Sequence, residues 1–417
     1  MKVLITHPTG NAFVRAAAVG LEEANMLGGF RTTVAAFPGN FFDVMSKYPY
    51  LSEFNRRRYD ARLEPFTKTW PWTELGRFAA GKMGLDNLVN KETGFFSVDA
   101  VYRNLDIHVA SSLKNNLKHG IDAVYAYEDG ALCTFEKAKR LGMTCFYDLP
   151  IGYWRSSKLL LANEKNRWPE WASTITGLHD SDAKLGRKDK ELELADQIFV
   201  ASSFTANSLK EYPGQLARVQ VIPYGFPPVV NNREYSTFKK NGRLKLLFVG
   251  GLSQRKGIAD LFAAVEKFKS HVELTVIGQK QGVDCPALNS ALKKHKWIPS
   301  LPHNKILETM RTHDVLVFPS LFEGFGLVIT EAMSQGTPVI TTDRTAGPDL
   351  INHGENGWLI KSGSTQALES AIEDILSKMQ IIPHVGRSAM ETARKRPWEV
   401  YGRELSASIK DTLYNHC

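Results

Sequence analysis

No stretch of this sequence approaches the roughly 18 uninterrupted apolar residues of a membrane span, so a membrane-crossing helix is not expected. Met1–Thr6 is too short for the apolar core of a signal peptide because His7, Pro8 and Thr9 follow at once, and a cytoplasmic chain is expected. Cysteine is scarce. Cys133, Cys145, Cys285 and Cys417 lack the paired spacing of zinc, redox or disulfide chemistry and are expected to be reduced and structural. Repeats and low-complexity tracts are absent, which excludes collagen, coiled coil and disorder. No G-x-G-x-x-G follows an apolar run, which argues against an NAD enzyme. No Asp-x-Asp pair follows a strand, since Asp180-Ser-Asp182 falls in helix-like or loop-like sequence.

What is present is a chain of 417 residues, long enough for two domains of roughly 200 residues. The net charge is +8, with 28 Lys+Arg against 25 Asp+Glu up to Phe226 and 24 against 19 beyond it. Both halves are mildly basic and no polybasic arm stands out, so nucleic acid is not expected as a partner. The densest cluster is Arg56-Arg57-Arg58 followed by Lys68-Thr69-Trp70-Pro71-Trp72. Basic and aromatic residues mixed in this way suit a membrane-facing or sugar-binding surface, and equally a solvated loop with two half-buried tryptophans.

Lys2–Thr6 reads as a strand, Phe13–Leu27 as a helix and Thr32–Phe37 as a second strand, which together make a βαβ unit. Asp122–Tyr127, Thr144–Leu149, Gln197–Ser202 and Val219–Tyr224 are further strands with room for helices between them. The region 39–105 breaks the pattern and reads as an insertion on the first domain. A proline-rich break at Pro223, Pro227 and Pro228 marks a linker, giving an N-terminal domain over 1–226 and a second over 227–397. Strand–helix alternation resumes at Leu244–Val249, Gly257–Phe268 and Val272–Gly278. It continues through Lys305–Arg311, Val315–Ser320, Leu327–Gln335, Val339–Thr342, Trp358–Lys361 and Thr365–Lys378. Two doubly wound α/β domains with parallel sheets are expected, facing a cleft at the carboxyl ends of their strands.

The most informative stretch runs from Phe318 to Val339 and reads strand, glycine loop, helix, glycine stop, strand. Gly324 and Gly326 let the loop turn tightly, and the amides of Phe325, Gly326, Leu327 and Val328 make an anion site at the helix N-terminus. Glu331, one turn into the helix, suits the cis-diol of a ribose, and Glu323 precedes the loop. Two carboxylates beside a phosphate require cations, which Arg255 and Lys256 supply from a second strand-to-helix loop, Gly250–Gly257. Either loop alone would read as exposed charge. Together they read as a nucleotide-diphosphate site.

These motifs resemble glycosyltransferase family 4. The similarity rests on Glu323-Gly324-Phe325-Gly326, Glu331-Ala-Met, Gly336-Thr-Pro-Val and Phe248-Val-Gly before Arg255-Lys256-Gly257, and is dense over 244–378. It is thinner over 1–38 and 184–226, and it includes Arg396-Pro397-Trp398, where such chains turn so that a last helix, 398–417, crosses back to the first domain. The resemblance implies the GT-B fold and a retaining, metal-independent transfer from a nucleotide-sugar co-substrate, without a cofactor. It implies that Arg255 and Lys256 hold the donor diphosphate, Glu323 the hydroxyls of the transferred sugar and Glu331 the ribose. Gly278 would end the strand beside the nucleotide, the Ser300–Leu301 backbone would read the base, and Gly10 and Asn11 would form the loop that approaches donor phosphate and acceptor.

Two departures from the family pattern stand out. Gly251 occupies a position where many relatives carry Arg, so Arg255 is expected to supply the charge. Tyr127 stands where relatives often place a His, so Tyr127 or Glu128 takes that polar contact or the position is structural. A relative using a guanine donor, a phosphatidylinositol mannosyltransferase, has a base-reading Asp where Pro302 or His303 stands here, which favours a uridine donor over guanosine. Tyr153, Trp154 and Arg155 follow a strand end and suit stacking on an acceptor sugar or half-buried packing. The expected acceptor is a glycan or lipid-linked saccharide, in cell-surface polysaccharide or glycoconjugate synthesis, with peripheral membrane contact compatible with the basicity. The alternative is an accessory protein of the same fold that binds a sugar nucleotide or glycan without turnover.

Overall fold

The computed structural model describes residues 1–48, 54–175, 180–235, 242–282 and 284–415. Cys417, part of the 39–105 region and the last two residues of the expected terminal helix lie outside them. Two parallel sheets organise the chain. The first is built from β1 (Lys2–Thr6), β2 (Leu27–Thr32), β3 (Thr67–Thr69), β4 (Ile121–Tyr127), β5 (Thr144–Leu149), β6 (Gln197–Val200) and β7 (Arg218–Val221), in the order β3-β2-β1-β4-β5-β6-β7. The second uses β8 (Leu244–Val249), β9 (Val272–Ile277), β10 (Lys296–Ile298), β11 (Val315–Phe318), β12 (Val339–Thr342) and β13 (Trp358–Ile360), in the order β10-β9-β8-β11-β12-β13. The doubly wound α/β class expected from the sequence is therefore the observed one.

The central strands are apolar because helices cover both sheet faces. All four residues of β11, Val-Leu-Val-Phe, are buried. Helix Ala12–Glu23 turns Phe13, Val14, Ala17, Ala18 and Leu21 toward the first sheet, and Ile258–Lys267 buries Ile258, Leu261, Phe262 and Val265 against the second. Strand order reverses between β1 and β4 and again between β8 and β11, and ligands of such sheets bind beyond the strand ends at these points. The loops Gly250–Gly257 and Pro319–Gly326 follow β8 and β11.

Three expectations need correction. The second strand lies at Leu27–Thr32 rather than Thr32–Phe37, because Gly28 and Gly29 hide it from a propensity reading. A Cβ on Gly28 would stand 2.7 Å from Ile121 Cγ1, so the close approach to β4 favours glycine there. The 39–105 region is not merely an addition: it supplies edge strand β3, and its Tyr59 and Arg57 support the loop after β1. The segment Trp154–Thr174 starts on the first domain but ends on the second, with Trp171 stacked on Phe262 at 5.8 Å and Arg167 Nη1 donating to Asp260 Oδ2 at 3.1 Å.

The last helix, Trp398–Asn415, returns to the first domain and lies across helix Ala12–Glu23. The two backbones cross at glycine on both sides. A Cβ added to Gly20 would stand 2.3 Å from Gly402 O. Among the described residues no helix is long and apolar enough to cross a membrane. We predict that Gly20→Ala destabilises the protein by about 1–3 kcal/mol through forced separation of these helices. Thermal denaturation tests this; an unchanged midpoint would remove the crossing as a constraint.

Candidate active site

Glu323 is the centre of the site. It follows β11 by five residues and is 8% exposed. Its Oε1 accepts from Arg255 Nη1 at 2.8 Å, from Ser320 Oγ at 3.0 Å and from Lys256 Nζ. Arg255 Nη1 also donates to Phe322 O at 2.7 Å, and Ser320 Oγ to Arg255 O at 3.1 Å, so the loops after β8 and β11 are laced together. The three bonds to the carboxylate converge on one oxygen, leaving Oε2 for the cavity that Glu323 lines.

Burial alone would raise the Glu323 carboxyl, but Lys256 and Arg255 outweigh it and hold the group below the usual carboxylate range. Burial lowers the Lys256 ammonium, with attraction to Glu323 opposing and Arg255 adding to the shift. Two cations against one carboxylate leave a surplus positive charge beside the glycine loop. That charge suits an arriving anion.

The cavity has a volume of about 350 Å³ and brings together Gly250, Arg255, Lys256, Glu323, Gly324, Phe325, Gly326, Leu327, Val328 and Glu331. Phe13, Pro150, Ile151 and Tyr224 close it from the other domain. Gly326 has φ +89° and caps helix Leu327–Ser334, whose first turn carries no acid. The helix start is therefore open to an anion in the way its sequence suggested. A Cβ on Gly324 would stand 1.8 Å from Pro150 O, and Gly324 O accepts from Thr205 Oγ1 at 2.9 Å and from Ser202 Oγ. The glycine loop is thus also the joint between the domains.

Other residues singled out in the sequence lie elsewhere. Gly278 sits where β8 and β9 end together, and a Cβ there would stand 1.8 Å from Gly250 O. Gly251 has Gln281 packed over it, with its Nε2 2.3 Å from where a Cβ would be. Leu301 is half-buried against the core. Gly10 and Asn11 open on a separate cavity. Tyr127 is buried, with its ring 4.9 Å from His7 and its hydroxyl unbonded, which places it in the core.

Near β4 and β5 the side chains take the packed, structural arrangement that the sequence left open beside an acceptor contact. Glu128 is buried and paired with Lys188 Nζ at 3.2 Å. Tyr153 is fully buried, and its hydroxyl donates to Asp189 Oδ1 at 2.7 Å. Trp154 Nε1 and Arg155 Nη2 donate to the same Asp189 carboxylate, at 2.7 and 2.6 Å. The trio is a structural clasp. Trp154 also lines a cavity that it shares with Arg255.

Sequence reasoning missed three residues. Ser320, the third donor to Glu323, was legible only as a hydroxyl three positions before an acid. His303 Nε2 lies 2.9 Å from Glu331 Oε1, a pair 28 residues apart with no local signal. That hydrogen bond raises the His303 pKa, against desolvation. His7 accepts from the amides of Thr9 and Gly10 at its Nδ1, both at 3.0 Å, and so shapes the loop after β1. Burial first, and Arg57 second, lower its pKa to about 3, so it is neutral.

Because the Glu323 pKa is lowered in the folded state, its stabilising contribution is present above the ordinary value of about 4.3 and is lost as pH falls through the folded value. We therefore predict that Glu323→Gln costs about 3 kcal/mol at neutral pH, since it leaves Arg255 and Lys256 without a counter-charge. The difference from the wild type should shrink as pH falls below the ordinary value of about 4.3. Denaturant unfolding at neutral pH and below that value is the check, and a constant difference would contradict the assignment.

Comparison with known proteins agrees with this geometry. Residues 231–391 match the family "Glycosyl transferases group 1". The chain is 25% identical over 288 residues to the glycogen synthase of Mycobacterium tuberculosis, covering 66% of this chain and 65% of that protein. It therefore spans less than two thirds of the length of that curated relative. Among solved structures it superposes on sucrose-phosphate synthase from Thermosynechococcus elongatus with a TM-score of 0.67 at 17% identity, covering all of both chains. HepE of Anabaena in complex with UDP gives 0.61 at 16% identity, over 99% of this chain and all of that one. The fold is that of these two-domain GT-B proteins, and residues 231–391 are similar to the glycosyl transferases group 1.

Proposed function

We propose that this chain is a retaining glycosyltransferase of family 4, moving a sugar from a nucleotide-diphosphate donor to an acceptor hydroxyl. The observation that carries the reading is the convergence of Arg255, Lys256, Glu323, the 324–328 loop and Glu331 on one cavity at a sheet switch point. Arg255, Lys256 and the start of helix Leu327–Ser334 stabilise the departing diphosphate. They supply the charge that a divalent ion provides in other transferases, so no metal is required. Glu323 Oε2 accepts from hydroxyls of the transferred sugar, while Arg255, Lys256 and Ser320 fix its other oxygen.

The reaction that the family resemblance implies makes use of these positions. The bond between C1 and the phosphate oxygen breaks with its electron pair on the diphosphate. The acceptor oxygen bonds C1 on the same face through an oxocarbenium-like state, and its proton passes to a donor phosphate oxygen. UDP is the favoured nucleotide, supported by Pro302 or His303 at the position of a guanine-reading Asp and by the UDP complex of a structural neighbour. The acceptor is a glycan or lipid-linked saccharide in glycoconjugate or cell-surface polysaccharide synthesis. We place the protein in the cytoplasm, with contact to the inner membrane face where the acceptor is lipid-linked.

Lys256→Ala should lower turnover by about 10² or more, roughly 3 kcal/mol of transition-state stabilisation, in steady-state assays with a UDP-sugar. Retained turnover would reject the site. A ribose that engages Glu331 must displace His303, whose pKa is raised only while the pair stands. Nucleotide binding then expels a proton, so affinity should rise between about pH 6 and pH 8. His303→Gln should flatten that rise to the part contributed by the nucleotide's own phosphate. Calorimetric titration of UDP compares the two slopes, and equal slopes would exclude Glu331 as the ribose contact.

A further inference from the structure

Beside the donor cavity, and sharing Ile151 and Arg255 with it, lies a second cavity between the domains, of about 330 Å³. Trp154, Ser157, Lys158 and Asp182 line it from the first helix after β5 and the start of helix Asp182–Leu194, while Gln281 and Phe322 line it from the second domain. Phe322 comes this close because the residue facing it is Gly152, where a Cβ would stand 2.6 Å from the ring. The Trp154 ring is held in place, since its Nε1 donates to Asp189 Oδ1 at 2.7 Å and the Arg155 guanidinium lies 4.1 Å from the ring centre. The cavity therefore presents two aromatic surfaces in fixed positions.

Its polar groups fall into two sets. Lys188 and Arg255 already have counter-charges in Glu128 and Glu323, and Asp180 has Lys91 and Lys184. The side chains of Ser157, Lys158, Asp182 and Gln281 have no hydrogen-bond or ion-pair partner among the described residues, and all four line this one cavity. They are one hydroxyl, one ammonium, one carboxylate and one amide, so donors and acceptors are both on offer and the two charges balance. Gln281 also packs over Gly251, which ties the cavity to the Gly250–Gly257 loop of the donor site.

We propose that this cavity binds a neutral saccharide, the acceptor of the transfer. Its description as acceptor rests on the glycosyltransferase reading; the saccharide site itself does not. A sugar hydroxyl both donates and accepts, and the apolar face of a sugar ring packs on an aromatic surface, so aromatic walls with a few mixed polar groups match it. An anion finds a single unpartnered ammonium here, opposed by the Asp182 carboxylate on the same cavity. A saccharide in this place meets the donor across Arg255 and Ile151, the two side chains that both cavities share.

Saturation-transfer NMR titrations of glucose, galactose, mannose, N-acetylglucosamine and maltose, with and without UDP and with glucose 6-phosphate as the anionic control, test this. We expect at least one neutral sugar to bind, and to bind more tightly than glucose 6-phosphate. The double variant Lys158→Ala/Asp182→Ala, at two exposed positions, should weaken that binding about tenfold or more, while Asp182→Asn, which keeps an acceptor oxygen, should lose less. The double variant's UDP affinity, read by calorimetry, should match the wild type. No response from any neutral sugar, a preference for glucose 6-phosphate, or undiminished binding in the double variant would overturn the proposal. Loss of UDP affinity in the double variant would also overturn it, because the cavity would then be part of the donor site. If a sugar binds through Lys158 and Asp182 but no nucleotide binds, the transferase reading falls and the saccharide site stands; UDP binding with no sugar response has the reverse meaning.

Discussion

One carboxylate oxygen, Glu323 Oε1, sets the geometry around which the cleft is arranged. Three donors from two loops converge on it, so the segments after β8 and β11 hold one relative position. An unpaired buried carboxylate is costly and a buried cation pair is costlier, but two cations about one acid satisfy the acid and leave charge for an incoming ligand. The arrangement is built for binding more than for stability, since an apolar filling of the same space would cost less to bury.

That constraint extends to the domain joint. The residue after Glu323 is Gly324, and its backbone packs against Pro150 and accepts from Ser202 and Thr205 of the first domain. Asp349 adds a bond to the Ser203 amide at 2.9 Å, and Glu164 accepts from Gln254 Nε2 at 2.9 Å. A shift between the domains therefore moves the glycine loop and the start of helix Leu327–Ser334 with it.

How much of this was legible in the sequence follows from burial. Strands covered on both faces, such as β8 and β11, announce themselves as apolar runs, and their ends located the loops that carry Arg255, Lys256 and Glu323. Edge strands β3 and β10 have three residues each, exposed or half-buried, and gave no such signal. Local motifs located the loops that line the Glu323 cavity because strand, glycine turn and helix are contiguous. At Tyr153, Trp154 and Arg155 the sequence left sugar stacking and half-buried packing open because their partner, Asp189, comes more than thirty residues later, and an aromatic–basic cluster looks alike whether it faces a sugar or a buried acid. His303 with Glu331, and Glu74 with Arg57, were hidden for the same reason.

The loop after β1 shows why the basic 39–105 region matters to the cleft. His7 is neutral and takes the Thr9 and Gly10 amides on its ring nitrogen. Gly10, at φ +59°, lies so close to Tyr59 that a Cβ would fall 1.8 Å from its hydroxyl, and Arg57 Nη1 donates to Thr9 O at 2.5 Å. The loop is therefore shaped from below by neutral groups and clamped from the side by a guanidinium whose charge Glu74 shares with Arg77. A charged His7 would place a second cation beside Arg57 in a buried position, which is what its lowered pKa avoids. Neutral support under the loop avoids a second buried cation beside Arg57, whose own charge is paired with Glu74.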